Sequence, residues 1–586
     1  MKRTTLALLL IPAALAFVVR GQTRQTAPPP AFRIVEATIP QMRDAMASGK
    51  LTSRELITQY LARIGMYEDR LHAAILVNPH ALEQADALDR ERAQGRIRGP
   101  LHGIPIALKD NIHTTDMATT GGALAFAGYT PPYAATLTKN LQDAGAIIIA
   151  KTGLTELANW VAGNPDAMPG NYNAVGGFGY NPYDPRRDPR PATFDGRPAL
   201  QTGGSSSGIG TTANLWAANV GTDTGGSVIS PSNANMLVGI RPTIGRISRY
   251  GVIPITADHD TAGPMARTVT DAAILFGALE SPSPDPNDPA TRTCAPPPGR
   301  DYTKFLKADS LKGARLGIPR AFYYDRIALN GDRPGQPEGI GTTTTITAGR
   351  GGLNAEQAKA MADAIAVLKQ QGAIIVDPAD VPSLAAKDPK DNFAAWDFCS
   401  GAEHARGKDE GCSVAFKYGM KRDFNLWLKS LGPAAPVKTL TELREWNLAH
   451  AKAGAIKFGQ SRLDFSDEMD LERDRRRFEA DHQKDHLLSR DRGIDGVLKA
   501  NQIDAILTPG GAGAGLAARA GYPIIVVPFA LVPNAPRPPF PAAFDAKPGP
   551  FGVGFTGASC SEPRLIELAY AFEQATKKRV PPSSTP

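Results

Sequence analysis

Residues 137–150 read LTKNLQDAGAIIIA, and the change of period inside this stretch decides the fold. Leu137, Leu141 and Ala144 recur at the spacing of one helix face, Gly145 stops the helix, and an unbroken apolar run begins at Ala146. A strand that is apolar on both faces has no side to offer water, so it belongs inside a sheet covered by helices. The same grammar returns further on. Asn354 and Gln357 make a capping box, Met361, Ile365 and Leu368 form the stripe, and Gly372 ends it before AIIVD. Further runs read as buried strands: IPIAL at 104–108, IDAILT at 503–508 and PIIVVPF at 523–529. A closing helix after Ser561 shows Leu565, Leu568, Ala569 and Phe572 on one face. Together these predict an α/β fold with a large mixed, mostly parallel central sheet covered by helices on both faces.

The 586-residue chain is 42% hydrophobic and 21% charged, the balance of an ordinary globular protein. Its net charge of +7 is spread along the length with no basic arm or block, so nucleic acid is not an expected partner. The N-terminus differs. Lys2 and Arg3 precede LALLLIPAALAFVV at 6–19, and small residues close the run. This is the pattern of a secretory signal peptide over residues 1–21, with cleavage after Ala14-Leu15-Ala16 or after Gly21. The run is short and interrupted by Pro12, so no stable membrane anchor is expected, and the mature protein is expected in the periplasm or outside the cell. In such a compartment Cys294, Cys399, Cys412 and Cys560 can be bridged or buried free thiols. Cys399 and Cys412 would close a short loop, and no pair has the CxxC spacing of a metal site. Residues 33–580 read as one domain, with Pro- and Gly-rich stretches at 163–202, 281–300 and 330–352 as surface insertions or functional loops.

Residues 221–227 read GTDTGGS, and GGSSSGIG stands at 203–210. Gly225 and Gly226 allow several N–H groups to face one concave side, the shape an oxyanion needs, with Ser227 at its lip as a nucleophile. The alternative is a glycine-rich turn closed by a capping serine. Gly204 to Gly208 formally matches GxSxG, with Ser206 as an elbow nucleophile, but that scheme needs an acid and a histidine. His259, His404, His450, His482 and His486 sit in no telling context. A phosphate-binding loop would need GK[ST], and no lysine is there. In LHGIPIALKDNI at 101–112, Lys109 ends an apolar strand. Burial there would lower its pKa and make it a general base; the alternative is a plain pairing with Asp110. His482 and His486 have a spacing that can hold zinc, but DLERDRRRFEADHQKDHLLSRDR at 470–492 reads as an exposed charged helix, and no metal is expected. Phe416, Tyr418, Phe424 and Trp427 read as core or as a wall against substrate.

These blocks occur together and in order. LHGIPIALKDNI, GAIIIAKTGLTELANW, QTGGSSSGIG, GTDTGGSVISPSNANMLVGIRPTIGRIS and DTAGPMARTVTDAA resemble the amidase signature family of hydrolases over residues 95–280. SEPRLIELAYAFEQAT at 561–576 is a weaker C-terminal echo. The resemblance implies the amidase signature fold and a Ser–Ser–Lys triad: Ser227 forms the acyl-enzyme, Lys109 is the base, and Ser205 relays the proton after a cis Gly204–Ser205 bond. It assigns the oxyanion and substrate side to Thr224, Gly225, Gly226 and Ser206, together with the amide of Ser227. The interval from Ser205 to Ser227 is about two residues shorter than the family's usual one, which keeps Ser206 open as the relay. No metal or organic cofactor is implied. The expected partner is a small-molecule amide: a peptide amide, aryl amide or carbamate. Its selection is expected to reside at 295–500, and the protein to act as a monomer or homodimer. Two other roles share the core. One is the glutamine-hydrolysing subunit of a tRNA-dependent amidotransferase, which the signal peptide argues against. The other is an inactive binding homologue, which three occupied triad positions argue against.

Overall fold

The apolar runs become strands of one eleven-stranded sheet in the computed structural model, which describes residues 32–193, 195–329 and 350–586. The expected signal peptide lies outside the described residues, as does most of the stretch at 330–352. In chain order the strands are β1 Ala74–Val77, β2 Pro105–Lys109, β3 Ile147–Thr152, β4 Tyr172–Asn173, β5 Gly177–Phe178, β6 Ala218–Asp223 and β7 Val238–Arg241. They continue with β8 Thr261–Ala266, β9 Arg315–Gly317, β10 Ile374–Val376, β11 Ala505–Pro509, β12 Ile524–Val532 and β13 Gly549–Thr556. β4 and β5 form a separate hairpin, and the rest are ordered β1-β3-β2-β6-β8-β7-β12-β13-β11-β9-β10.

The sheet is mixed, and its parallel character is regional. Parallel pairing is confined to β3–β2–β6 and to β11–β9–β10. The other six interfaces are antiparallel. The physical reason lies in the connections. β7 and β8, like β12 and β13, follow one another in the chain and pair directly, which an antiparallel return allows without a crossover helix. Apolar runs alone do not distinguish the two cases.

Helix Thr136–Asp143 buries Leu137 and Leu141 and delivers the chain into β3, every residue of which is buried. Asn354 caps helix Ala355–Gln370 with Gln357 in the expected box. Helix Glu562–Thr576 buries Leu565, Leu568, Ala569 and Phe572. Residues Ile34–Pro586 form one compact unit, and no helix among the described residues is long and apolar enough to cross a membrane.

The cysteines are bridged, Cys294 to Cys560 and Cys399 to Cys412. The insertion at 163–202 is held by aspartate–arginine forks two residues apart: Asp184–Arg186, Asp188–Arg190 and Asp195–Arg197. Arg186 and Arg190 reach the carbonyls of Asp545 and Pro538 and stack on Phe544 and Phe540, which fastens the insertion to the loop at 533–548.

Candidate active site

Lys109 ends β2 and Asp223 ends β6, and these neighbouring strands run parallel, so both residues open onto the same edge of the sheet. In open α/β sheets the carboxyl edge is where ligand crevices form. Lys109 is fully buried there. Its Nζ donates to Ser205 Oγ at 3.1 Å and to Thr222 Oγ1 at 2.8 Å. Burial lowers its pKa to about 7, against the opposing pull of the Asp223 and Asp260 carboxylates. A lysine so placed exchanges between ammonium and amine near neutrality, which is what a general base requires. Asp110 is not its partner: that carboxylate pairs with Lys151 at 3.2 Å.

The adjacent serines have separate tasks. Ser206 Oγ donates to the Thr222 carbonyl at 3.0 Å and accepts from the Thr222 N–H at 3.2 Å, stitching the serine loop to β6. Gly221 makes room for it, since a Cβ there would lie 2.7 Å from Ser206 Oγ. Ser205 carries the hydroxyl that meets Lys109. The expected cis bond before Ser205 is not observed. Among the described residues the cis peptides are Asn164–Pro165, Asp377–Pro378 and Arg537–Pro538. The lysine contact is made with the ordinary trans form, which a non-proline peptide favours by about 3 kcal/mol.

The glycine loop is organised by Asp223, a residue inside GTDTGGS to which the motif reading gave no role. Its Oδ1 accepts from the Gly226 N–H at 2.8 Å and its Oδ2 from the Val228 N–H at 2.7 Å, which wraps residues 224–228 around the carboxylate. Arg241 Nη1 lies 2.6 Å from Asp223 Oδ1, and both side chains are fully buried. Gly226 sits at φ +119, where an L side chain is strained, and a Cβ there would come within 3.1 Å of Ala514. Its amide is engaged by Asp223, so of the four amides expected to form a cup this one is already occupied. Thr224 Oγ1 donates to Asp260 Oδ1 at 2.5 Å, and burial pushes the Asp260 carboxyl up to about 7.

Thr224, Gly225 and Ser227 line a cavity of about 610 Å³. Its aromatic walls are Trp160, Phe398 and Phe416; the two phenylalanine rings stack at 3.7 Å, and Trp160 meets Phe416 edge-on at 5.1 Å. The Arg519 guanidinium lies 3.9 Å from the Phe398 ring centre, and Arg462 lies 5.1 Å from that of Trp160. Of the expected aromatic cluster, Phe416 is wall. Tyr418 stacks on Phe478, while Phe424 and Trp427 pack with Phe126. None of the described lining residues comes from 163–202. His482 and His486 depart from expectation as well. Both are half-buried, because the helix face that carries them, together with Phe478 of the same helix, packs on Tyr418 and His259.

A mixed sheet with a buried lysine, a serine loop and a glycine loop at one edge narrows the class, and comparison with known proteins makes it specific. The amidase family model matches residues 55–332. A protein of Arabidopsis thaliana described as a probable amidase is 33% identical over 580 residues, covering 98% of this chain and 96% of its own length. The solved peptide amidase of Stenotrophomonas maltophilia is 32% identical with a TM-score of 0.75, covering 94% of this chain and 99% of that one. A glutamyl-tRNA(Gln) amidotransferase subunit of Chloroflexus aurantiacus is 36% identical over 341 residues, 58% of this chain and 60% of its own length. The chain belongs to the amidase family and is an amide-hydrolysing enzyme.

Proposed function

We propose that the protein is an exported serine amidase that releases ammonia or an amine from carboxylic amides, C-terminal peptide amides foremost. The observation that carries the mechanism is the buried contact of Lys109 Nζ with Ser205 Oγ, beside a glycine loop that ends in Ser227. Neutral Lys109 takes the Ser205 proton as Ser205 takes that of Ser227. The Ser227 oxygen forms a bond to the amide carbon, and the tetrahedral oxyanion rests on the free amides of the glycine loop. In other acyl-transfer enzymes one such donor contributes about 3–4 kcal/mol. The relay then returns the proton to the departing nitrogen as the C–N bond breaks. Water, activated by the same relay, hydrolyses the acyl-enzyme and restores Ser227.

Two features support the substrate class. The cavity volume of about 610 Å³ is of the size that encloses a drug-sized ligand, and its aromatic walls suit an apolar acyl side chain. A solved relative of similar length is a peptide amidase. Export rests on the basic start and apolar run at 2–19. The test is ammonia or amine release from peptide amides, anilides, carbamates and free glutamine, wild type against Ser227→Ala. Release confined to the wild type and strongest on peptide amides is expected. An active Ser227→Ala enzyme refutes the mechanism, and preference for glutamine shifts the role to that of an amidotransferase component. N-terminal sequencing of protein recovered outside the cytoplasm checks export.

A further inference from the structure

We propose that His259, His482 and Asp485 form a binding site for a divalent ion of the first transition row, separate from the hydrolytic residues. Each side chain offers one ligand atom, and these atoms lie within 4.8 Å of one another. Two imidazoles and a carboxylate are a donor set that suits zinc, cobalt or nickel.

The surroundings are those of a ligand shell rather than of three residues that merely touch. His259 is fully buried, and its Nδ1 lies 3.4 Å from the Ala518 carbonyl, which can only accept. The proton therefore sits on Nδ1, and the lone pair sits on Nε2, which is buried without a hydrogen-bond partner. A ring whose second nitrogen is held by a backbone carbonyl is the usual state of a metal-bound histidine. His482 Nδ1 is likewise buried without a partner. Leaving such groups buried and unsatisfied is costly, and a coordinated ion removes that cost. Asp485 stands three residues after His482 in helix Arg475–His486, on the same face. Its Oδ1 accepts from Trp396 Nε1 at 2.9 Å and its Oδ2 from Ser413 Oγ at 2.7 Å, which fixes the carboxylate and leaves each oxygen a lone pair. Arg519 Nε, 3.7 Å from Asp485 Oδ1, partly balances the carboxylate charge and moderates the affinity.

The place of the cluster gives it a consequence. The His259 ring lies 5.1 Å from Phe416 and 5.4 Å from Phe398, two walls of the cavity. An ion held there ties the chain just before Asp260 to the helix behind those walls, and so stabilises the folded protein by mass action.

The experiment uses untagged full-length protein, stripped by chelator and titrated with zinc and, separately, with cobalt(II), whose visible absorption reports its ligands. One equivalent of zinc and a rise in unfolding temperature are expected, with loss of both in His482→Gln at unchanged amidase activity without metal. His482→Phe, which keeps the ring stacked on Phe478, serves if the glutamine variant fails to fold. Absence of any ion-dependent shift or cobalt absorption in the wild type overturns the proposal. Equal binding by wild type and variants does the same, because it puts the ion elsewhere.

Discussion

Two regions adjoin the glycine loop that lines the cavity, and they are built on opposite plans. The chemical side, Lys109, Ser205, Thr222 and Asp223, sits at the ends of paired strands and in the loops stitched to them. Its contacts are short, polar and buried, and each holds another: Ser206 fixes Thr222, Thr222 meets Lys109, and Arg241 fixes the aspartate that folds the glycine loop. The opposite wall, with Phe398, Phe416, Arg462 and Arg519, is made of rings and guanidinium planes carried by helices and loops and stacked on one another. Strand ends hold atoms within tenths of an ångström, as proton transfer demands, whereas stacked side chains can be exchanged without unmaking the sheet. On the proposed mechanism, catalysis and selection are thereby put on different material.

The sharpest way to break that division is at Lys109. Lys109→Ala is expected to lower kcat/KM by about 10³-fold, in the range of a lost general base, for every amide tested. The wild-type rate should rise with pH through about 7 and then level, because only the amine form accepts a proton. Stability supplies an independent check with a definite sign. Between about 7 and the ordinary lysine value of about 10.4, the folded state holds this residue neutral while the unfolded chain holds it protonated. The unfolded state then binds more protons, so this residue makes stability rise with pH across that window, by up to about 1.4 kcal/mol per unit. Denaturant titrations at several pH values should show the slope in the wild type and its loss in the variant. A rate that falls through pH 7, or a slope that survives substitution, would place the base elsewhere.

What the sequence made legible follows the same line. The strand within 104–109, the capping box at Asn354 and the closing helix are local features, written in adjacent residues, whereas Ser205 stands out from Ser206 only through the family resemblance. The Arg241–Asp223 pair was not legible, because it joins two strands separated in the sheet by β8. The half-burial of His482 has a different reason. The helix at 475–486 is rich in charge, but Asp481 and Asp485 are buried on it, satisfied by Arg477, the Val414 amide, Ser413 and Trp396. A helix face buried through polar pairs leaves no apolar period to find.

A smaller effect is expected at the support of the glycine loop. Arg241→Met removes the guanidinium and leaves Asp223 buried with its charge unpaired, which costs about 3 kcal/mol of stability. The unfolding temperature should fall, and activity should fall with it even where the protein stays folded, because the carboxylate also orients the Gly226 and Val228 amides. Full activity in a folded Arg241→Met enzyme would mean that the loop holds its shape without the pair, and that the chemical side is less interdependent than its contacts imply.

The smallest effect belongs to the opposite wall. Phe416→Leu keeps an apolar side chain of lesser size at the centre of the stack formed with Phe398 and Trp160. Pocket changes of that kind are worth about 1 kcal/mol in discrimination, or roughly fivefold. KM should rise for amides with a bulky aromatic acyl group and stay level for small ones, with kcat nearly constant, since nothing in the proton path touches this ring. Steady-state kinetics on a paired aromatic and aliphatic amide read the split directly. A uniform fall in kcat for both would show that the wall transmits strain to Gly225, whose Cβ, if it had one, would lie 3.9 Å from the Phe416 ring, and the two regions would then be one.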